Sequence, residues 1–234
     1  MKKIGKKFDI VLLLVFPLIA AGLSLAFKLN FFVSTLLFYG LPAGYLTLRN
    51  KHAFGRTLIF TIPASLVAGL VFDYIAHFNG AWFVPTIFPW RVLGVVPIED
   101  FVWGFLYVYS ILMFYEHFLD KGRHNLADKK MKYFIMILLL MVSLFLLAYF
   151  NQPKLLLNSY VYAKYGIVLS LIPVILFLAC FPKFIAKYAK IVLYFSIVSF
   201  LNELTALKLG HWVFPGRDFV GWVELFGQRF PFEE

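Results

Sequence analysis

Apolar residues run in long blocks along this chain, with polar residues gathered in the short gaps between them. Seven blocks are each about 20 residues long, the length an α-helix needs to cross the hydrocarbon of a bilayer. They cover residues 8–27, 31–48, 58–78, 98–119, 132–150, 160–181 and 188–209. None alternates with period two over its length, so the pattern predicts spanning helices rather than strands. The cations fall in the gaps with a bias. Lys2, Lys3, Lys6 and Lys7 precede the first block, and Arg49, Lys51 and Arg56 follow the second. Lys121, Arg123, Lys129, Lys130 and Lys132 follow the fourth, and Lys183, Lys187 and Lys190 follow the sixth. If the blocks alternate in direction, all four clusters share one side, which predicts a cytoplasmic N-terminus and a multi-pass protein of the plasma membrane.

Composition agrees with that reading. The chain has 234 residues, 62% of them hydrophobic, against 45–50% in typical soluble domains. The net charge of +10 does not indicate a nucleic-acid partner, because the cations sit between apolar blocks on one side. The lone cysteine, Cys180, excludes an intrachain disulfide and a thiol-rich metal site, and packing is its expected role. Aromatic residues make up 20% of the chain, more than interfacial belts require, which suggests a ring-lined cavity or ring-mediated helix packing.

The chain also repeats itself. "DYIAHFNGAWFVP" from Asp73 parallels "ELTALKLGHWVFP" from Glu203, pairing Asp73 with Glu203, Ala76 with Ala206, Gly80 with Gly210 and Trp82 with Trp212, always 130 positions apart. After a loop four residues longer, "PIED" at Pro97 is echoed by "PFEE" at Pro231. The same offset maps the first block onto the fifth, so the first is read as a retained span rather than a cleaved leader, despite the small-x-small triplet Ser24–Leu25–Ala26. The expected architecture is an all-α integral membrane protein of two four-helix units, 1–125 and 126–234. An even number of crossings per unit makes it a parallel repeat. Seven spans are present, and the eighth is missing or truncated after Glu234.

The acids of this repeat are the candidate chemistry. In one copy, Glu99 and Asp100 after Pro97 read as an ordinary helix start, where acids complement the helix dipole. That does not account for Asp73 and Glu203, which stand near the C-terminal ends of apolar blocks, where the dipole disfavours an anion. A charged acid costs roughly 2.5–3.5 kcal/mol at mid-membrane and marks a functional site by default. Crowded carboxyl groups in an apolar pocket keep a proton and can deliver it as a general acid. Ring faces such as those of Trp82, Trp103, Trp212 and Phe101 stabilise a cation by about 0.5–2 kcal/mol each. The combination suits protonation of an alkene.

In order and spacing, "DYIAHFNGAWF…GVVPIEDFVWGF" and "ELTALKLGHWVF…FPFEE" resemble the flavin-independent lycopene cyclases, the two-subunit and fused carotenoid cyclases. The resemblance covers nearly the whole chain. It implies an internally duplicated membrane enzyme, an intramolecular lyase or isomerase of carotenoid biosynthesis, which cyclises the linear end groups of lycopene without net redox change. By motif position it implies catalytic roles for Glu99, Asp100, Glu233, Glu234, Asp73 and Glu203, and substrate contacts from Trp82, Trp212, Phe101 and Trp103. Glu99 is the expected proton donor, with Glu233 as its counterpart. No cofactor and no metal is expected. The expected partners are a hydrophobic carotenoid, the lipid bilayer, and a second subunit or a further copy that completes the bundle. The first acid pair departs from the motif by ending in Asp100 rather than Glu.

Other classes fit less well. There are no paired aspartate-rich motifs for a magnesium diphosphate, no clustered histidines for a di-iron centre, and no glycine-rich dinucleotide loop after a strand. His77 shares a helical face with Asp73 at a spacing of four and has no counterpart in the second unit, where Leu207 stands; it reads as a local polar contact. The alternative from another class is a polytopic transporter, or a non-enzymatic carotenoid- or lipid-binding protein. Against transport, the acids sit near one membrane face, and no helix break is evident at paired positions of the two units.

Overall fold

The computed structural model describes residues 5–120 and 131–233. Lys2, Lys3, Lys121, Arg123, Lys129, Lys130, Glu234 and the expected boundary between residues 125 and 126 lie outside the described residues. The rest is predominantly helical. Helices α1 (Lys6–Phe27), α2 (Phe31–Arg49), α3 (Lys51–Phe78), α4 (Ile98–Asp120), α6 (Val161–Cys180) and α7 (Pro182–Leu209) are each long and apolar enough to cross a membrane. Helix α5 (Met131–Asn151) carries a shorter apolar stretch, Ile135–Asn151.

The helices are less regular than the apolar pattern suggests. In α2 the Leu41 N–H bonds to Leu36 O, five residues back, and in α6 the Ile172 N–H bonds to Ile167 O in the same way. These wide π turns, Leu36–Gly40 and Gly166–Leu171, lie 130 residues apart, so a helix irregularity does recur at paired positions, contrary to expectation. The cause is local. Pro42 and Pro173 stand two residues after the end of each turn, and a proline has no N–H to offer the carbonyl four residues back. A third π turn, Ala68–Asp73, ends on Asp73. Here Gly69 admits the ring of Phe101 from α4; a Cβ at that position would lie 2.5 Å from the ring.

Two antiparallel hairpins modify the all-α expectation. Strands β1 (Arg91–Val92) and β2 (Val96–Pro97) lead into α4, and β3 (Trp222–Leu225) pairs with β4 (Gln228–Pro231). Both turn through two residues with positive φ, Leu93–Gly94 and Phe226–Gly227, the conformation whose twist matches a hairpin.

The two halves of the chain cross. Helix α3 packs on α4 of its own half and on α5 of the other, while α1 packs on α7. Buried Val67, Val71, Tyr74 and Ile75 of α3 meet Phe145 of α5 and Val161 of α6. The loops after α3 and α7 are pinned reciprocally. Asn79 Nδ2 donates to Leu156 O at 2.9 Å, and the Asn158 N–H donates to Asn79 Oδ1 at 2.7 Å. On the other side His211 Nε2–H donates to Leu29 O at 2.9 Å, and burial holds the His211 pKa below the ordinary imidazole value. Phe83 and Val213, themselves 130 positions apart, exchange two backbone hydrogen bonds of 2.8 and 2.9 Å. The far side of the second half is open to the surroundings. No residue of Ile172–Cys180 is buried, and Cys180, expected to pack, is exposed.

The end of the bundle away from these loops is tied by Asp9. Its fully buried carboxylate accepts from Tyr45 Oη at 2.5 Å, from Arg49 Nε and Nη2 at 3.0 and 3.1 Å, and from His117 Nε2 at 2.8 Å. One acid thus joins α1, α2 and α4. Arg56 and Glu116 form a second pair at 2.5 Å between α3 and α4. Removing one partner of a buried ion pair strands the other charge. Asp9→Asn is therefore expected to destabilise the bundle, read as a lower thermal midpoint of the detergent-solubilised protein. An unchanged midpoint would show that the network carries no stability.

Candidate functional site: a carboxyl cluster beside an aromatic cavity

Asp73 is the last residue of the π turn Ala68–Asp73 of α3 and is buried against the cavity. Glu99 and Asp100 reach the site because Pro97 ends β2 and starts α4 in the next residue, placing both acids in the first turn. All three are buried. Asp73 and Asp100 are close enough to interact electrostatically, and Arg91 acts on Asp100 and on His77 in the same way. Arg91 is oriented by its own loop, donating to Val95 O at 2.6 Å and Val84 O at 3.0 Å.

The carboxyl groups differ in how they are satisfied. Glu99 Oε1 accepts the Ile87 and Phe88 N–H groups at 2.6 and 2.8 Å, while its Oε2 has no partner. Glu233 repeats this on the second loop, taking the Val220 N–H on Oε1 at 2.6 Å with Oε2 unpartnered. Glu203 takes the Trp212 indole N–H at 3.0 Å. Both oxygens of Asp100 are buried without a hydrogen-bond partner. The Nε2 atom of His77 lies 3.8 Å from Oδ2, too far for a hydrogen bond.

A cavity of about 250 Å³ opens beside this cluster. Asp73 and Trp82 of the first half, and Tyr162, Tyr165 and Glu233 of the second, stand in its wall, with Phe72 and Ser170. The rings of Trp82 and Tyr162 meet edge to face at 6.0 Å. On the other side of the molecule Trp212 meets Phe31 at 5.5 Å, so each tryptophan packs against the second helix of the opposite half. Among the described residues, no group of three or more His, Cys, Asp or Glu side chains is arranged to hold a metal ion.

Of the residues singled out in the sequence, Asp73, Trp82 and Glu233 share the cavity wall, and Asp100 does not line it. Glu99, expected as the proton donor, is not in that wall; one of its oxygens anchors the loop. Glu203 and Trp212 form a separate pair. Phe101 fills the notch at Gly69, and Trp103 stacks on Tyr107 at 5.5 Å. Glu234 lies outside the described residues. Four further participants are His77, which reads in the sequence as a local polar contact, and Arg91, Tyr162 and Tyr165, which the sequence does not single out. Only the spacing of His77 from Asp73 signalled any of them. Comparison with known protein families, curated proteins and solved structures finds no match for this chain.

The role of Glu99 as a loop anchor is measurable. In Glu99→Leu the Ile87 and Phe88 N–H groups lose their acceptor, a loss of about 1–3 kcal/mol. Hydrogen exchange across residues 83–95 is expected to accelerate by about 10- to 100-fold, with exchange in α1 unchanged.

Proposed function

We propose that this chain is a carotenoid end-group cyclase that works within the membrane without a redox cofactor. The observation that carries the reading is the pair Asp73 and Glu233 in the wall of a cavity lined by Phe72, Trp82, Tyr162 and Tyr165. An acid delivers a proton to the terminal double bond of a linear polyene. The resulting tertiary cation closes onto a neighbouring double bond, and a carboxylate removes a proton from the ring. One proton is gained and one lost, so the product is an isomer of the substrate. The cavity volume suits an end group, with the rest of the polyene lying along the bilayer. Aromatic faces shelter the cation without offering it a nucleophile. Asp73, whose carboxyl group accepts and donates no hydrogen bond among the described residues, is the better-placed donor than Glu99.

The same proposal includes the finer architecture. Two units, 1–125 and 126–234, form a parallel repeat with seven spans and a cytoplasmic N-terminus in the plasma membrane. A second subunit or a further copy covers the open faces of α6 and α7. The exchanged hydrogen bonds of Phe83 and Val213, the π turns ahead of Pro42 and Pro173, and the two hairpins support the repeat. The paired π turns also lend weight to the transport reading, since broken helices at equivalent positions are a feature of transporters.

Pigment extracted from lycopene-accumulating cells that express the chain separates the two. Cyclised end groups are expected; unchanged lycopene together with proton-coupled uptake into vesicles would favour transport. Asp73→Asn is expected to lower ring formation by about 10²- to 10⁴-fold. Glu99→Gln should cost less, because an amide oxygen can still accept the two loop N–H groups. The reverse order of the two losses would return the donor role to Glu99.

A further inference from the structure

The two halves use the same indole differently. Trp82 follows Asp73 by nine residues, and Trp212 follows Glu203 by nine. In the second half the Trp212 N–H goes to the acid, Glu203 Oε1, at 3.0 Å. In the first half the Trp82 N–H goes instead to His77 Nδ1 at 2.7 Å, and no hydrogen bond reaches the Asp73 carboxyl group among the described residues. The position of His77 is occupied in the second half by Leu207, which has no acceptor to offer.

An indole N–H can only donate, so Nδ1 of His77 is an acceptor and the ring hydrogen resides on Nε2. The close approach of Nδ1 to Asp73 O, 2.9 Å, is then a contact between two acceptors, held by the helical spacing of four and by the indole. Nε2 has no hydrogen-bond partner and faces Asp100 Oδ2 at 3.8 Å. His77 therefore does two things at once. It occupies the donor that would otherwise bind the acid of its own half, and it turns an N–H toward the second acid.

We propose that His77 is a positioning residue that diverts the Trp82 indole from Asp73, leaving the Asp73 carboxyl group available at the cavity wall for proton transfer, while the equivalent acid Glu203 is held by Trp212 and serves structure. The two halves are then chemically unequal, and one end group reacts per binding event. The inference rests on the cyclase reading for its chemical consequence but not for its geometry.

Both parts are testable. In lycopene-accumulating cells His77→Leu, which copies the second half, is expected to lower ring formation by about 10²-fold. Adding Trp82→Phe removes the indole N–H while keeping a ring, and should recover at least a tenth of wild-type activity. A merely structural role for His77 predicts the opposite, a double variant worse than either single one. Ring formation by His77→Leu within about twofold of wild type, or no recovery in the double variant, would overturn the proposal. The geometry is read without substrate from the indole resonances of ¹⁵N-tryptophan-labelled protein in detergent. The Trp212 resonance should move in Glu203→Gln, and the Trp82 resonance should stay in place in Asp73→Asn but move in His77→Leu. A Trp82 shift in Asp73→Asn as large as that of Trp212 in Glu203→Gln would show that the indole binds the acid in both halves, and would sink the diversion. If the resonances behave as expected but no pigment is cyclised by the wild-type chain, the cyclase reading fails and the diversion stands.

Discussion

A carboxyl group buried inside a protein must find its hydrogen-bond donors there, because no bulk water is at hand to supply them. This constraint organises both ends of the bundle, with opposite outcomes. At one end Asp9 receives donors from a tyrosine, an arginine and a histidine on two other helices, and the result is a rivet. At the other end the acids outnumber the donors. Glu99 and Glu233 each draw on loop N–H groups for one oxygen, Glu203 takes an indole, and Asp100 is left with none. A saturated carboxylate holds structure; an unsaturated one beside a cavity is stored chemical potential, retained only because the surrounding packing over-determines it.

The loops supply part of what is short. The segment after α3 curls back so that Ile87 and Phe88 can present their N–H groups to Glu99, and the segment after α7 does the same for Glu233 through Val220. Each hairpin then delivers its acid from the loop side while its helix delivers another from below. Crossing of the halves completes the arrangement. Tyr162 and Glu233 of the second half face Asp73 of the first, so neither half contains the cavity alone, and Asn79 and His211 fix the crossing by binding the opposite half's first loop.

The apolar blocks of the sequence correspond closely to the helices, since a membrane crossing demands length and hydrophobicity and little else. Asp73 stood out in the sequence because an acid in an apolar segment is costly, and Glu99, Asp100, Trp82 and Glu233 stood out through the repeat. The π turns did not, although Pro42 and Pro173 stood in view. A missing N–H can be absorbed by a kink, a water or a wide turn, and the choice depends on neighbours. The hairpins were hidden for a related reason. Leu93 and Phe226 adopt positive φ, which nothing in a leucine or phenylalanine announces.

The sequence by itself therefore determined the helical class, the positions of the apolar helices and the identity of most acids, all of which follow from local transfer free energies and the internal repeat. Only the tertiary structure decided which acid meets the cavity, which oxygen is tied to a loop, and that His77 stands between Trp82 and Asp73. Those outcomes depend on the competition of several acceptors for few donors across the two halves. That competition is settled by distances between residues far apart in the chain, and no local pattern encodes them.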